Sequence, residues 1–159
     1  MDYKKLFPIF ETHKELAYLD SAATNQKPEK VIKAIDEYNR KFNASPNRGS
    51  YGISVEATCQ YNQAKGKVAK FIGAKNTEII FVKSSTEGLN LLANSFSYEL
   101  TKEDNILVGI TSHHSNIVPW QEVKRRTGAE LRYIYLDKNG EFDYDDLESK
   151  LDSNTKVVS

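Results

Sequence analysis

From residue 78 onward, the sequence alternates between short apolar runs and segments with helical spacing. The apolar runs are EIIFV at 78–82, ILVGI at 106–110 and ELRYIYL at 130–136, with TKVVS at 155–159 as the start of a fourth. The helical segments between them carry Leu89, Leu92, Ala93 and Phe96, and then Ile117, Trp120 and Val123. This alternation is typical of α/β proteins with a mostly parallel sheet covered by helices. The all-apolar ILVGI predicts a central strand buried on both faces.

The first part of the chain has helical periodicity only. Pro28 is followed by Val31, Ile35, Tyr38 and Phe42, whose spacing predicts an amphipathic helix over 28–43. The segment NASPNRGSYG at 43–52 predicts an ordered loop. A second helix ends at Gly73, and its expected buried stripe is Ala57, Tyr61, Ala64, Val68 and Phe71. Cys59 lies beside that stripe and is predicted to pack as a small hydrophobe.

Composition narrows the function classes. The 22 Lys and Arg residues balance 22 Asp and Glu residues, so net charge gives no reason to expect nucleic acid or an anionic membrane as a partner. Cys59 is the only cysteine, which excludes an intramolecular disulfide and a multi-thiolate metal cluster from this chain alone. No apolar run is long enough to span a bilayer, and the start MDYKKLFPIF lacks signal-peptide character. We therefore expect a cytoplasmic protein.

A turn rich in hydroxyl groups follows the EIIFV run. Ser84, Ser85 and Thr86 lead directly into the helical segment EGLNLLANSF. Free backbone N–H groups at a helix N-terminus, together with these hydroxyls, form a cradle suited to a phosphate. The simpler alternative is that Ser85 or Thr86 only caps the helix, and spacing alone favours it. The GxGxxG and GxxxxGK[ST] fingerprints are absent, which argues against an ordinary dinucleotide- or nucleotide-binding domain.

Two histidines follow the buried strand ILVGI. His113 and His114 precede a helix with Pro119 in its first turn, which predicts that both lie at the carboxyl edge of the sheet. An imidazole there can stack on a flat heteroaromatic ring, carry a proton or bind a metal. Adjacent side chains in extended backbone point apart and no other His or Cys cluster completes a shell, so we predict no metal site. A polar loop with Ser115 as helix cap explains the pattern equally well.

Two segments of the first part could reach a substrate. In YLDSAAT at 18–24, Ala22 and Ala23 follow a short apolar strand and permit close approach of a ligand, although an ordinary turn is the favoured alternative. Arg48 stands beside Gly49 in the 43–52 loop, where a guanidinium could hold a carboxylate. The common alternative for a loop arginine is simple solvation.

In this order and at this spacing, YLDSAAT, NRG, FVKSSTEGLNLLANS, SHHSNIVPWQ and RRTGAELRYIYL resemble the N-terminal part of the class V aminotransferase superfamily. The resemblance is nearest to the group II cysteine desulfurases, which include selenocysteine lyases. It covers nearly the whole chain. Five matching segments are far more specific than any one of them.

The resemblance implies the N-terminal portion of a fold-type-I enzyme that uses pyridoxal 5'-phosphate and works as a homodimer. Such enzymes remove sulfur from L-cysteine to give alanine and an enzyme persulfide, which supplies iron–sulfur cluster assembly through a sulfur-acceptor protein. By the same resemblance, Ser84, Ser85 and Thr86 hold the cofactor phosphate and His113 stacks on the pyridine ring. Ala22 and Ala23 lie near the substrate, and Arg48 approaches the active site, that of the partner subunit.

Two departures from the family pattern concern the candidate site. The family usually has Gly-Thr-Thr where this chain has Ser84-Ser85-Thr86, which predicts reduced backbone freedom at Ser84. The usual His before Arg-Gly is Asn47 here, so a titratable group is lost.

By the resemblance, four functional residues of this family are expected beyond Ser159: the Schiff-base lysine, the acidic partner of the pyridine nitrogen, the sulfur-accepting cysteine and the arginine that binds the substrate carboxylate. Lys83 is not assigned the role of the Schiff-base lysine, although it stands next to the Ser84–Thr86 turn. TKVVS stops where a functional loop should follow, which predicts a fragment that is inactive alone. The resemblance divides it into an N-terminal segment, 1–52, and the first part of the large cofactor-binding domain, 53–159. The alternatives are another class V enzyme (an aminotransferase, a selenocysteine lyase or an epimerase) and a non-catalytic truncated piece.

Overall fold

The computed structural model describes residues 2–159, and these fold as two units, Met1–Ile79 and Ile80–Ser159. The regular structure of the first unit is helical: a 3-10 helix Tyr3–Leu6, α1 (Ile9–Thr12), α2 (Glu29–Lys41), α3 (Gly52–Ile72) and a second 3-10 helix Asn76–Glu78. The second unit contains α4 (Ser85–Phe96), β1 (Asn105–Gly109), α5 (His114–Thr127), β2 (Glu130–Ile134), α6 (Tyr144–Lys150) and β3 (Thr155–Val158). None of the helices in residues 2–159 has the length and apolar content needed to cross a bilayer.

The two long helices of the first unit form where the spacing predicts them. Pro28 is the N-cap residue of α2, and Gly73 ends α3 with a left-handed φ of 72°. That conformation is open to glycine at no steric cost, and the Gly73 N–H then donates to the carbonyl of Ala69. The prediction of both helices and of the stop at Gly73 is confirmed.

The predicted burial of α3 is largely wrong. Ala57 is fully buried as expected, but Ala64 and Val68 are exposed and Phe71 is 91% exposed. Cys59 is also exposed, and its Sγ accepts a hydrogen bond from Gln63 Nε2 at 3.2 Å instead of packing as a small hydrophobe. The described residues of Met1–Ile79 form no strand that could cover this face. Periodicity predicts which residues share a face, but it does not supply what covers that face.

The second unit is built on a three-stranded parallel sheet with the order β2-β1-β3. Residues Ile106, Leu107 and Val108 of the central strand are fully buried, which confirms the interpretation of ILVGI. Helices α4 and α5 supply much of the apolar cover, and the core contains Ala93, Leu100, Ile106, Val108, Trp120, Val123, Ala129 and Leu131. The fold-class prediction, a parallel sheet covered by helices, is therefore confirmed.

The segment EIIFV at 78–82 is not a strand, contrary to the prediction. Glu78 ends a 3-10 helix, and residues 79–84 belong to no helix or strand. Ile80 is 73% exposed, whereas Ile79 is buried. A strand needs a neighbour with which to pair, and none of the strands in the described sheet pairs with residues 78–82. The residue types favour extended backbone, but they do not provide a partner.

The connections after β2 follow the sequence signals. Gly140 has a φ of 81°, and its N–H donates to the Asp137 carbonyl at 3.0 Å, so Asn139-Gly140 forms the predicted turn. Asp143 caps α6 by accepting from the Asp146 N–H at 3.0 Å. Strand β2 is two residues shorter than expected, because Leu136 leaves the sheet for an isolated antiparallel bridge with Phe142.

A polar network ties the three strands together at their amino ends. Arg132 of β2 donates from Nη1 to Asp152 Oδ2 at 2.7 Å, and Asn105 of β1 donates from Nδ2 to Asp152 Oδ1 at 2.8 Å. Thr155 of β3 donates to Asn105 Oδ1 at 2.8 Å. Asn105 is buried, so these bonds satisfy a polar side chain that would otherwise be costly to enclose.

We expect acid to weaken this network in a defined pH range. Hydrogen bonds from Arg132, and then from Asn105, lower the pKa of Asp152 to about 2. Because the folded pKa is below the unfolded value of about 3.9, the charged form stabilises the fold above pH ~4, and this contribution is lost as the pH falls towards 2. Asp152→Asn should therefore reduce the fall in unfolding free energy between pH ~4 and ~2.

Urea unfolding over that pH range measures the effect. Asp145→Asn is the matched control, because it removes an exposed carboxylate of α6 that lies outside the network. The control should keep the pH dependence of the parent. Equal pH dependence in Asp152→Asn and the parent would contradict the assignment.

Candidate functional site

The turn before α4 is closed by Ser84, not by Ser85 or Thr86. Ser84 Oγ accepts from the Glu87 N–H at 3.2 Å, and the Ser84 carbonyl accepts from the Gly88 N–H at 3.1 Å. The Glu87 carboxylate in turn accepts from the Lys83 N–H. This reciprocal arrangement resembles a capping box, and it makes Ser84 the N-cap residue. The alternative that Ser85 or Thr86 serves as the cap is wrong.

The serine at position 84, where the family usually has glycine, causes no backbone strain. Its φ of −162° and ψ of 165° are ordinary extended values that any residue adopts. No glycine is required there. The reduced freedom that a serine brings therefore carries no strain in this turn.

Ser85 and Thr86 are left with free donors. They are the first two residues of the 12-residue helix α4, and both are exposed. Within residues 2–159, neither their backbone N–H groups nor their hydroxyls have a hydrogen-bond partner. The N-terminus of a helix carries partial positive charge, so two N–H groups and two hydroxyls there suit a phosphate group. This is the cradle that the sequence predicts, with one of its three side chains already used as a cap.

His113 is the N-cap residue of α5. Its Nδ1 accepts from the Ser115 N–H at 3.1 Å and lies 2.8 Å from Ser115 Oγ. Because a backbone N–H can only donate, Nδ1 carries no proton in this arrangement, and the neutral ring holds its proton on Nε2. The ring is exposed, as is that of His114, whose centroid lies 6.2 Å away. The cap is thus the histidine itself, and the alternative of Ser115 as the cap is wrong.

Pro119 does not lie in the first turn of this helix, contrary to expectation. Helix α5 begins at His114, so Pro119 is its sixth residue and is buried. A proline at this depth cannot donate the backbone hydrogen bond of a regular helix. The cap formed by His113 starts the helix one turn earlier than the proline signal predicts.

The topology brings the Ser84–Thr86 turn and His113 to the same edge of the sheet. His113 follows the carboxyl end of β1, while α4 leads through a loop to the amino end of β1. Near the C-terminal ends of the two helices, Arg126 of α5 donates to Asn94 Oδ1 of α4 at 3.2 Å. The helices therefore run side by side in the same direction, and both begin at the carboxyl edge. The prediction that the two features share an edge is confirmed.

This edge is also where ligands bind in α/β sheets. From β1 the chain crosses to β2 on one side, and from β2 it crosses back to β3 on the other side of β1. The strand order thus reverses at β1, and ligands of open α/β proteins bind outside the carboxyl ends of the strands at such a switch point. His113 lies in the turn that follows β1, the strand at this switch point.

Ala22 and Ala23 lie in the first unit, in a turn without the strand that was expected before it. The N–H groups of Ala23 and Thr24 donate to the Asp20 carbonyl at 3.2 and 3.1 Å. Tyr18 closes the turn from the other side, with its hydroxyl 2.6 Å from the Thr24 carbonyl. These hydrogen bonds hold the turn, and both alanine side chains are exposed.

The loop that carries Arg48 is fastened to α3. Buried Ser54 donates to the Ser45 carbonyl at 3.0 Å, and the Asn47 N–H donates to Thr58 Oγ1 at 2.9 Å. Asn47 has a φ of 60°, a left-handed conformation that asparagine tolerates well. The Arg48 side chain is exposed and has no hydrogen bond or ion pair with any residue in 2–159. The loop is therefore ordered, as predicted, and it presents an unpaired guanidinium.

Gly49 lies close to the Tyr51 ring. A Cβ at this position would lie 2.5 Å from Tyr51 Cε1 and 3.1 Å from Ser54 Oγ. Ser54 is buried, whereas the Tyr51 side chain is exposed. A larger residue beside Arg48 would therefore displace the Tyr51 ring.

Comparison with known proteins places this geometry in a family. The family model for aminotransferase class-V matches residues 17–159. The chain belongs to the class-V aminotransferase family. Among curated proteins, it is 42% identical over 163 residues to a "Probable cysteine desulfurase" of Halalkalibacterium halodurans, with 99% of this chain and 40% of that protein covered. It is 40% identical over 147 residues to a "Cysteine desulfurase" of Haloferax volcanii, with 91% of this chain and 34% of that protein covered.

Solved structures agree. The apo cysteine desulfurase of Thermococcus onnurineus NA1 superposes with a TM-score of 0.89 at 36% identity, covering 99% of this chain and 38% of that one. The cysteine desulfurase CsdA of Escherichia coli gives a TM-score of 0.82 at 28% identity, with 98% and 39% coverage. These neighbours confirm the predicted fold type I. The chain spans 40% of the length of each of two curated relatives named probable cysteine desulfurase.

Sequence reasoning missed one side chain at this edge. Asn116 bonds to residues on both sides of it, Ser112 and Ser159. It lies within the SHHSN segment, so its presence there is visible in the sequence. Its contact with Ser159 depends on a strand that arrives 43 residues later, which no local pattern shows.

The division of roles in the α4 turn can be tested by single substitutions. Ser84→Ala removes the cap and should lower the unfolding free energy by about 1 kcal/mol. Ser85→Ala removes a hydroxyl without a partner, so it should leave the unfolding free energy within about 0.5 kcal/mol of the parent. Urea unfolding at neutral pH measures both. A larger loss for Ser85→Ala than for Ser84→Ala would show that the cap is assigned to the wrong residue.

Proposed function

We propose that this chain is the N-terminal portion of a pyridoxal-phosphate-dependent cysteine desulfurase. The observation that carries the proposal is the set of free donors on Ser85 and Thr86 at the same sheet edge as the exposed His113 ring. Membership of the class-V aminotransferase family and the likeness to cysteine desulfurases support it. The division into an N-terminal segment, 1–52, and the first part of the cofactor-binding domain, 53–159, belongs to the same proposal.

The chemistry of these groups fits the cofactor. A phosphate dianion needs several donors in a region of positive potential, which the first turn of α4 offers. A pyridine ring needs a flat partner, which the His113 imidazole offers. Ser84 would contribute to the phosphate site by its position and backbone, because its hydroxyl is already bonded to the Glu87 N–H.

Each residue then has a separate task. Ser85 and Thr86 would bind and orient the phosphate, and the His113 imidazole would stack on the pyridine ring. When bound, pyridoxal phosphate withdraws electrons from the amino acid and makes its bonds labile. Arg48 and the Ala22–Ala23 turn would lie on the side of the substrate, L-cysteine or a similar amino acid. In a homodimer, Arg48 would approach the active site of the partner subunit.

The wider setting is part of this proposal. The expected product is alanine with sulfur left on a cysteine that lies outside this chain, ready for a sulfur-acceptor protein and iron–sulfur cluster assembly in the cytoplasm. Covalent catalysis requires both a lysine amine and a thiolate, and none of the residues described here is assigned to either task. The 159-residue chain by itself should therefore be inactive. Other class V activities remain the alternatives, since the residues that select the substrate are proposed to lie elsewhere.

The phosphate assignment can be tested in a polypeptide extended to the length of the relatives. Changing both Ser85 and Thr86 to Ala removes two hydroxyl bonds to a dianion, each worth about 1.5–3 kcal/mol. Cofactor affinity should fall by about two orders of magnitude or more. His113→Ala should retain the phosphate contacts, so a smaller loss of affinity and a larger loss of turnover are expected.

Equilibrium dialysis, followed by the visible absorbance of retained cofactor, measures this affinity. Ser95→Ala is the control, because it removes a hydroxyl of the same helix that bonds only to the Leu91 carbonyl. If the double variant retains cofactor as well as Ser95→Ala does, the turn is only a helix start and the proposal fails.

A further inference from the structure

The side chain of Asn116 joins the turn that carries His113 to the end of β3. Ser159 Oγ lies 2.6 Å from Asn116 Oδ1, and Asn116 Nδ2 lies 3.4 Å from Ser112 Oγ. Asn116 is half-buried and is the third residue of α5. Its own N–H donates to the His113 carbonyl at 2.8 Å. The side-chain amide thus joins two segments at the carboxyl edge, the turn after β1 and the end of β3.

The distances define the orientation of the amide. A separation of 2.6 Å is usual for O–H···O but short for N–H···O, so the oxygen of Asn116 faces Ser159, whose hydroxyl donates. The amide nitrogen then faces Ser112 and donates to it over the longer distance. The first of the two bonds is the stronger one.

These bonds close a ring around the end of the central strand. The Ser112 N–H donates to the Gly109 carbonyl at 3.0 Å, which ties the turn to β1. The Ser159 N–H donates to the Leu107 carbonyl at 2.9 Å, which ties the end of β3 to β1 as well. Without the Asn116 side chain, the turn and the end of β3 would each be bonded to β1 but would lack this link to each other.

The need for this ring follows from how His113 is held. Its cap bonds reach only Ser115, so they orient the imidazole relative to the first turn of α5. They do not orient that turn relative to the sheet or to the cradle at α4. The bonds of Asn116 supply that second constraint, because they connect the same turn to Ser159 at the end of β3.

We propose that Asn116 is a positioning residue for His113. It keeps the imidazole at a constant place relative to the Ser85–Thr86 donors, so that a phosphate and a ring of one ligand meet both at once. This rests on the proposed function for its purpose, while the constraint on the turn stands independently. The ligand class is a phosphorylated flat heteroaromatic ring.

Amide hydrogen exchange in the 159-residue chain tests the constraint. Asn116→Ala should speed exchange of the Ser112 and Ser115 amides by about tenfold, because the turn then opens more often. Asn116→Asp should restore exchange close to the parent, since either carboxylate oxygen can accept from the two serine hydroxyls. Gln121→Ala is the control: it removes an amide side chain from the same helix, one that bonds to the Tyr133 hydroxyl. Exchange in Asn116→Ala equal to that in Gln121→Ala would overturn the proposal.

A second variant guards against general loss of the fold. If Asn116→Ala also speeds exchange at Leu107 and Val108 in the core, Ser159→Ala decides, because it removes only the 2.6 Å bond. Faster exchange limited to Ser112 and Ser115 supports the constraint, and unchanged exchange overturns it.

Ligand titration separates this inference from the proposed function. In the polypeptide extended to the length of the relatives, Asn116→Ala should weaken binding of pyridoxal phosphate several-fold while leaving that of inorganic phosphate unchanged, since only the former uses the ring. If the extended parent binds neither probe at Ser85 and Thr86, the proposed function fails, whereas the exchange result still decides the role of Asn116. Equal weakening of both probes would overturn the positioning role.

Discussion

The parallel pairing of β1 with β2 on one side and with β3 on the other determines the layout of the second unit. The apolar residues Ile106, Leu107 and Val108 are fully buried, so this strand cannot shift without exposing them. The connection between two parallel strands must run from the carboxyl edge of the sheet back to its amino edge. Helices α5 and α6 therefore both start at the carboxyl edge. Helix α4 packs beside α5 in the same direction. Strand order therefore determines where the candidate site lies, and the particular side chains determine what it can bind.

Helix capping decides which groups at that edge are free to bind. Ser84 uses its hydroxyl on the Glu87 N–H, and His113 uses Nδ1 on the Ser115 N–H. The hydroxyl and N–H groups of Ser85 and Thr86 make no capping hydrogen bond with any described residue. The hydrogen bonds that hold the His113 ring use Nδ1 and leave Nε2 unused. The N-termini of α4 and α5 thus combine the positive potential of a helix start with hydrogen-bond donors that no cap uses.

Much of the second unit could be predicted from the sequence because its signals are local. ILVGI reads as a buried strand, and Asp143 and Gly140 mark a helix cap and a turn through their own bonds. The prediction for EIIFV is wrong because a strand depends on a partner, and residue type does not specify one. The predicted burial of Phe71 and Val68 is wrong for a similar reason: periodicity defines a face of the helix, but burial needs a second surface that packs against that face.

The candidate site could be predicted in the same uneven way. Ser84, Ser85, Thr86 and His113 are visible as turns after apolar runs, and their common edge follows from parallel topology. Which serine caps α4 depends on backbone angles that the sequence SST leaves open. Asn116 needed the structure, since its bond to Ser159 joins residues far apart in the chain. Arg48 was visible as a loop cation. The two hydrogen bonds that hold its loop, from Ser54 to the Ser45 carbonyl and from the Asn47 N–H to Thr58 Oγ1, were not visible.

The central claim is that the start of α4 and the start of α5 share one sheet edge. Paramagnetic relaxation enhancement measures this directly, with a spin label on Ser85→Cys in a Cys59→Ser background. The account predicts strong broadening of the His113 and Ser115 amides, and weak broadening of Lys102 and Gly128 at the opposite edge. Strong broadening of Lys102 and Gly128 with sharp His113 and Ser115 signals would contradict it.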